Sequence, residues 1–377
     1  MGYNLEAMSK VKFGLKLTLV YILVPLLIFL LFEGIASTIL FVEQLANTKP
    51  VAERLHTDYD PELGWVNIPN THIDDIYGPG RYVHINAQGF RHDEDLNFEV
   101  PPAKVRAICS GDSFTFGFGV SNQETWCHLL SELEPRLQTV NMAQGGYGVD
   151  QAYLWYERDG DQIAHQLNLF AFITADFDRM QRPLFLGYGK PVLEVENGEL
   201  VLTNVPVSRQ AFVLPWTTTP YQGAFDELKS VQLLNQTFFK NRTDTSRPPI
   251  DEPAIQEVAG KILEEMYRLN HERGSELVLV YLPVYADHKP NLKTDTRRRY
   301  AEQGAAKLGL IYIDLVDDFR QLPEDELESL FIPNGAIDFP GAAGHYSVKG
   351  HEYIANRLYQ ELMAHPKIVD ILDSVEQ

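Results

Sequence analysis

Residues 104–120 read KVRAICSGDSFTFGFGV. Val105–Cys109 is a short, mostly apolar run of the kind that forms a strand buried on both faces. Ser110 and then Gly111-Asp112-Ser113 follow it, and the glycines Gly117 and Gly119 come soon after. Ser113 therefore stands where a strand ends and a helix begins, the crevice in which open α/β sheets hold their ligands. A serine there presents a hydroxyl, and its backbone N–H can face a developing oxyanion. The plainer reading of the same residues is a strand-to-helix turn with a capping serine.

Working outward, the rhythm repeats. Thr125–Leu137 has helical spacing, Thr139–Met142 reads as the next strand, Gln151–Gln162 as a helix and Leu167–Thr174 as a third buried strand. Alternating helices and apolar strands predict a parallel sheet sandwiched by helices. An insertion at about 181–250 interrupts the alternation. Within it Pro191–Pro206 predicts a hairpin turning at Asn197-Gly198, since both residues accept the positive φ of a type I′ turn. A helix is expected around Ala224–Lys240. The alternation resumes with a helix at Ala254–Arg273, a strand at Glu276–Leu282, a helix at Lys293–Lys307, a strand at Leu310–Asp314 and a last helix from near Ser347. Upstream, residues 57–100 are rich in Pro, Gly, Asn and Asp and read as a small β-rich lead-in. The expected organisation is residues 1–42 as tail and anchor, 43–103 as linker and lead-in, and 104–377 as the α/β domain.

The 377 residues are 45% hydrophobic and 22% charged, enough apolar material for a core and unlike a disordered chain. With 32 Lys plus Arg against 52 Asp plus Glu the net charge is −20, and no basic cluster offsets it, which argues against nucleic acid as a partner. Two cysteines, Cys109 and Cys127, exclude a disulfide scaffold and a Cys-rich zinc site. Cys109 reads as a buried thiol of its strand; a Cys109–Cys127 disulfide stays open, because spacing cannot establish its geometry. His271-Glu272 and His351-Glu352 lack the second histidine of H-E-x-x-H, so no metal and no cofactor is expected.

Leu17–Phe32 runs sixteen residues without a charge, and the apolar stretch continues past Glu33 to Val42. A span needs ~20 residues. Lys10, Lys12 and Lys16 precede it, so the positive-inside rule leaves the short tail in the cytoplasm and exports the body, as a single-pass membrane protein with a periplasmic domain. The run is long for a signal peptide and no A-x-A site follows, so an uncleaved anchor is the reading.

Two further blocks can carry chemistry. Asn141–Gly148 (NMAQGGYG) has three glycines in four residues after a strand, which permits close approach to a ligand or simply a tight turn. Gly344-His345-Tyr346-Ser347 precedes the last helix, and an imidazole is the base that a weakly acidic serine hydroxyl needs. In the order Ser, Gly, His, these blocks resemble the SGNH/GDSL hydrolase superfamily, and more closely its membrane-anchored bacterial members, with G-D-S-F-T-F-G-x-G-V at residues 111–120 and E-T-W at 124–126. The resemblance covers about Val105–Arg179 and Ile332–Leu362.

It implies an SGNH-type, flavodoxin-like fold and an esterase or O-acyltransferase working through an acyl-enzyme. Ser113 is then the nucleophile and His345 the base, with the N–H groups of Ser113 and Gly146 as oxyanion donors. Family members act in O-acetylation of surface polysaccharides, so a small ester or an O-acylated envelope glycan is the expected substrate. Two positions depart from the family. Its third block, G-x-N-D, aligns with Ile173-Thr174-Ala175-Asp176, leaving Ala175 where an asparagine donor belongs. Its D-x-x-H places Ala342 where an acid belongs, and the nearest upstream acid is Asp338, taken as the orienting residue in its place, with a backbone carbonyl as the alternative. Asp112 is expected to brace its turn, and His351 to pack in its helix or face solvent. The two alanines also favour a different class of function, a non-catalytic glycan-binding or assembly module.

Overall fold

The computed structural model describes residues 3–47, 55–185, 188–207, 228–238, 250–339 and 341–375. In chain order the elements are α1 (Tyr3–Asn47), β1 (Thr57–Asp60), β2 (Gly64–Asn67), β3 (Thr71–Ile73), β4 (Val83–Ile85), β5 (Val105–Gly111), α2 (Ser113–Phe116), α3 (Trp126–Leu133), β6 (Leu137–Ala143), α4 (Val149–Asp159), β7 (Leu167–Phe172) and α5 (Thr174–Met180). The insertion contributes β8 (Leu184–Phe185), β9 (Tyr188–Gly189), β10 (Val192–Glu196), β11 (Glu199–Thr203) and α6 (Lys229–Phe238). The chain closes with α7 (Glu252–Glu272), β12 (Glu276–Tyr281), α8 (Leu292–Leu308), β13 (Ile311–Asp314), α9 (Val316–Arg320), α10 (Glu324–Ser329), α11 (Val348–Ala364) and α12 (Pro366–Asp373). Two compact units result: Met1–Pro50 with Phe212–Pro249, and Val51–Ala211 with Ile250–Gln377.

In the larger unit five strands form one sheet in the order β13-β12-β7-β5-β6. Every pairing is parallel. Side-chain alternation feeds two cores. Ile108, Phe170, Phe172, Leu277, Leu279 and Tyr281 enter the layer beneath α4 and α7. Ala107, Cys109, Leu169, Ala171, Val278 and Val280 enter the layer beneath α3 and α11. The strands are buried on both faces, as their near-continuous apolar sequence requires. From β5 the chain steps to β6 on one side and then to β7 on the other, so the order of strands reverses at the carboxyl end of β5. Ser113 begins α2 at that point.

Cys109 is disulfide-bonded to Cys127, which corrects the buried-thiol reading; β5 and α3 bring their Cα atoms to 6.2 Å. The expected hairpin is present as β10 and β11, with Glu196 opposite Glu199 and positive φ at Asn197 (54°) and Gly198 (86°). The flanks of the helix expected at Ala224–Lys240 fall outside the described residues; α6 is its described part.

The lead-in makes two small hairpins, β1–β2 and β3–β4. Its residues Tyr77, Val83 and Ile85 share a third apolar cluster with Phe116, Phe118, Ile332, Phe339 and Ala342. Arg91 is buried and donates to the carbonyls of Phe116 (2.5 Å), Gly117 (2.7 Å) and Val120 (2.5 Å) and to Asn122 Oδ1 (2.9 Å). One lead-in guanidinium thus satisfies the carbonyls of the turn that follows Ser113, groups that would be costly to bury unpaired.

In the smaller unit, Leu19–Val42 of α1 gives 24 residues long and apolar enough to cross a membrane. At ~1.5 Å per residue that length exceeds the ~30 Å of a bilayer's hydrocarbon. Glu33 accepts from the backbone N–H groups of Lys229 and Ser230 at the start of α6.

Candidate active site

The turn that carries Ser113 is set by its neighbours. Asp112 is the N-cap of α2, its Oδ1 accepting from Phe114 N at 2.8 Å. Gly111 sits where a Cβ would lie 2.5 Å from Ala171 O and from Thr115 Oγ1, so no larger residue fits between β5 and β7. The E-T-W block closes the same turn from beyond. Glu124 and Ser121 form a capping box, Thr125 caps α3, and Trp126 Nε1 donates to Phe114 O at 3.2 Å.

His345 reaches this turn from a loop pinned by an antiparallel bridge between Phe331 and Tyr346 and by Ile332 N donating to His345 O at 2.8 Å. Ser347 then caps α11 through Gly350 N at 3.1 Å. His345 Nε2 and Ser113 Oγ are 2.7 Å apart, 232 residues apart in sequence. Ser113 is 4% exposed. The imidazole lies between aromatic rings, 4.5 Å from Phe114 and 5.2 Å from Phe118 between centroids. Burial there lowers its pKa to about 4, against the smaller raising effect of Asp112; Arg179 lowers it further, and the carbonyls of Ala342 and Gly341 favour the protonated ring. At neutral pH the ring is uncharged. With Nε2 accepting from Ser113 Oγ, its proton sits on Nδ1, which has no hydrogen-bond partner of ordinary geometry among the described residues.

Asp338 is not brought to that nitrogen. It is exposed, and no hydrogen bond joins it to His345 among the described residues. Ala342 is fully buried in the apolar cluster with Ile332 and Phe339. A carboxylate at that position would lose its hydration among these side chains.

The opposite flank of Ser113 is charged. Arg179 Nη1 donates to Asp112 Oδ2 at 3.0 Å, to Asp176 Oδ1 at 2.5 Å and to the Tyr147 carbonyl at 2.7 Å. Asp112 and Asp176 are 1% and 2% exposed. Burial, and next the charge of Asp112, push the Asp176 carboxyl well above the usual range. Asp176 Oδ2 also accepts from Ile173 N at 3.0 Å, which caps α5. Asp112 thus braces its turn, as the sequence suggests, and does so with a partner the sequence reading missed. Arg179 stands three residues beyond Asp176 on one helix, and that i, i+3 spacing was the signal available.

Gly146 lies in the turn after β6 with φ of +79°, and Ala175 begins α5 after β7, so the three turns that the motif blocks predict share one sheet edge. The backbone N–H groups of Ser113 and Gly146 find no acceptor among the described residues. His351 is buried and its Nδ1 accepts from Trp126 N at 3.1 Å, so it packs between helices rather than facing solvent. No group of three or more His, Cys, Asp or Glu side chains suited to a metal occurs among the described residues.

No family model matches the sequence, and no curated protein matches it. Solved structures do. A lipase/acylhydrolase from Enterococcus faecalis is 12% identical, with 68% of this chain and 95% of that one covered and a TM-score of 0.39. A member of the lipolytic protein G-D-S-L family from Veillonella parvula gives 13%, 68%, 97% and 0.38. A mutant acetyl-xylooligosaccharide esterase from Geobacillus gives 12%, 68%, 93% and 0.37. In the motif blocks it carries and the parallel sheet that positions them, the chain resembles the SGNH/GDSL hydrolase superfamily.

Proposed function

We propose that this chain is a membrane-anchored serine hydrolase that cleaves ester (O-acyl) bonds, with its α/β domain on the extracytoplasmic side. The observation that carries the reading is the 2.7 Å contact of Ser113 Oγ with His345 Nε2 beside two unpaired backbone donors. Ser113 Oγ attacks the ester carbonyl and its proton passes to His345 Nε2. The N–H groups of Ser113 and Gly146 hold the tetrahedral oxyanion. His345 returns the proton to the leaving alkoxide, and an acyl-enzyme remains on Ser113. A water activated by His345 then releases the acid. A sugar hydroxyl in place of water makes the same intermediate an O-acyltransferase.

Three features support the location. α1 is long and apolar enough to cross a bilayer, three lysines precede its apolar stretch, and the Cys109–Cys127 disulfide is a bond that persists in oxidising compartments. An envelope glycan carrying O-acyl groups is the substrate class this location favours.

The test is hydrolysis of a small activated acetyl ester by the full-length protein in detergent, with an acetylated glycan as second substrate. Wild type is expected to turn over, and Ser113→Ala and His345→Ala are expected to be inactive but folded. Equal rates in all three overturn the assignment. Acetate appearing on an added glycan faster than in water identifies the transferase.

A further inference from the structure

We propose that Trp65 and Arg179 are positioning residues that hold the Gly146 amide in place as an oxyanion donor, supplying by preorganisation what Ala175 cannot supply as a side chain. The inference rests on the Ser113–His345 reading above.

The geometry begins with the peptide preceding Gly146. Trp65 Nε1 donates to the Gly145 carbonyl at 2.9 Å. In a trans peptide the C=O and the next N–H point to opposite sides, so fixing the Gly145 oxygen aims the Gly146 N–H away from Trp65. That amide is in a buried residue and has no acceptor among the described residues. Buried N–H groups without a partner are rare, and one whose direction is enforced from behind is a donor kept for a ligand.

The same turn is held again at its next residue. Arg179 Nη1 donates to the Tyr147 carbonyl at 2.7 Å. The same nitrogen reaches Asp112 Oδ2 at 3.0 Å, so one guanidinium ties the turn of Gly146 to the turn of Ser113. Both gripping side chains are themselves confined. Trp65 is 2% exposed, its ring lies edge-on to Tyr147 at 5.4 Å, and the Tyr147 hydroxyl donates back to the Trp65 carbonyl at 2.5 Å. Arg179 is fixed by Asp112 and Asp176 and covers the Phe185 ring at 5.0 Å. Neither side chain needs to touch the oxyanion. Trp65 fixes the direction of the donor and Arg179 the turn that carries it before substrate arrives, and donors that need no reorganisation are the effective ones.

The experiment uses the full-length protein in detergent and an aryl fluorophosphonate. Ser113 Oγ attacks phosphorus, its proton passes to His345 Nε2, the P–O bond forms as P–F breaks, and fluoride leaves. The phosphoryl oxygen occupies the oxyanion site, so the maximal labelling rate reads that site directly, while the half-saturation concentration reads binding. Wild type is compared with Trp65→Phe, Arg179→Gln, each of these combined with Ala175→Asn, and Ser113→Ala as blank. Trp65→Phe keeps an aromatic ring and removes the donor.

Each single variant is expected to lower the maximal rate about 30-fold, short of the ~100–1000-fold of a donor removed outright because the amide is loosened and not lost, with half-saturation changed less than about two-fold. Ala175→Asn is expected to recover at least about five-fold in each double variant without raising its melting temperature. Rescue of rate without rescue of stability is not what a merely structural role would give. Wild-type labelling rates in both single variants overturn the inference, as does a loss that Ala175→Asn fails to recover. Should Arg179→Gln not fold, Trp65→Phe decides by the same criteria. A wild type that is not labelled removes the Ser113–His345 reading and this inference with it; a labelled wild type matched by every folded single variant removes the inference alone.

Discussion

The two flanks of Ser113 are built from opposite materials. On one, His345 is caged by Phe114 and Phe118, and the position three residues before it is a buried alanine among apolar side chains. On the other, two buried carboxyls and a guanidinium interlock within hydrogen-bonding distance. A carboxylate behind the histidine would raise the ring's proton affinity and stabilise the imidazolium. Here the apolar cage does the reverse and keeps the ring neutral, while charge gathers behind the nucleophile and works on geometry. The difference teaches that the proposed proton acceptor is prepared by exclusion of water, and the proposed oxyanion donors by a salt-bridged frame.

Removing either member of the pair tests the comparison most severely. Ser113→Ala and His345→Ala should each cut ester turnover by about 10⁴-fold with the melting temperature nearly unchanged. Initial rates on an activated ester decide it, and a His345→Ala variant retaining a tenth of wild-type activity would break the reading of the apolar flank.

Next in size is stability against pH. His345 and His165 are held near pKa about 4, and His56 and His351 near about 3, each chiefly by burial, below the ordinary 6.5. A histidine depressed on folding binds its proton more readily when unfolded. The stability these neutral rings contribute is whole above about pH 6.5 and declines as pH falls toward the folded values. Melting temperature should therefore drop progressively between pH 6.5 and pH 4.5. A flat profile across that interval would show that the cage does not hold its histidines neutral.

The rate profile sharpens the same point. With His345 lowered to about 4, the acid limb of kcat/KM should fall far below the pH 6.5 of a free imidazole. An acid limb at 6.5 or above contradicts the apolar cage. The smallest expected effect joins the two flanks. Asp112 raises the pKa of His345, so Asp112→Asn should move the acid limb lower still, by less than about one unit. An upward shift, read from the same profile, would mean that Arg179 and Asp176 rearrange when that charge is lost.

Much of this was legible in the chain. The alternation of buried strands and helices, the Asn197-Gly198 hairpin and the apolar amino terminus follow from local spacing, because burial on both faces and a two-residue turn leave direct marks in sequence. Ser113 and His345 were legible as residue types in motif blocks. Other features were not. The orienting acid was sought at Asp338, by nearness along the chain, and that residue is exposed. Cys109 was read as a thiol, since whether two cysteines meet depends on where α3 packs against β5. Trp65, Arg91 and Arg179 carry no motif. Trp65 and Arg91 are met chiefly by backbone carbonyls, which every residue has, so nothing in composition announces those contacts, and Arg179 shows only its i, i+3 spacing from Asp176.

Sequence alone pointed to a parallel sheet and set the order of the three blocks along the chain, because both are written in residue type and local period; the two positions that lack an expected polar group rest on the family resemblance. Tertiary structure alone decided what surrounds those positions: that the histidine closes on the serine across 232 residues, that its far side is dry, and that an indole and a guanidinium grip the peptides around Gly146. Hydrogen bonds to backbone and exclusion of water depend on which surfaces come together, and that is settled only when the lead-in, the sheet and α5 have packed.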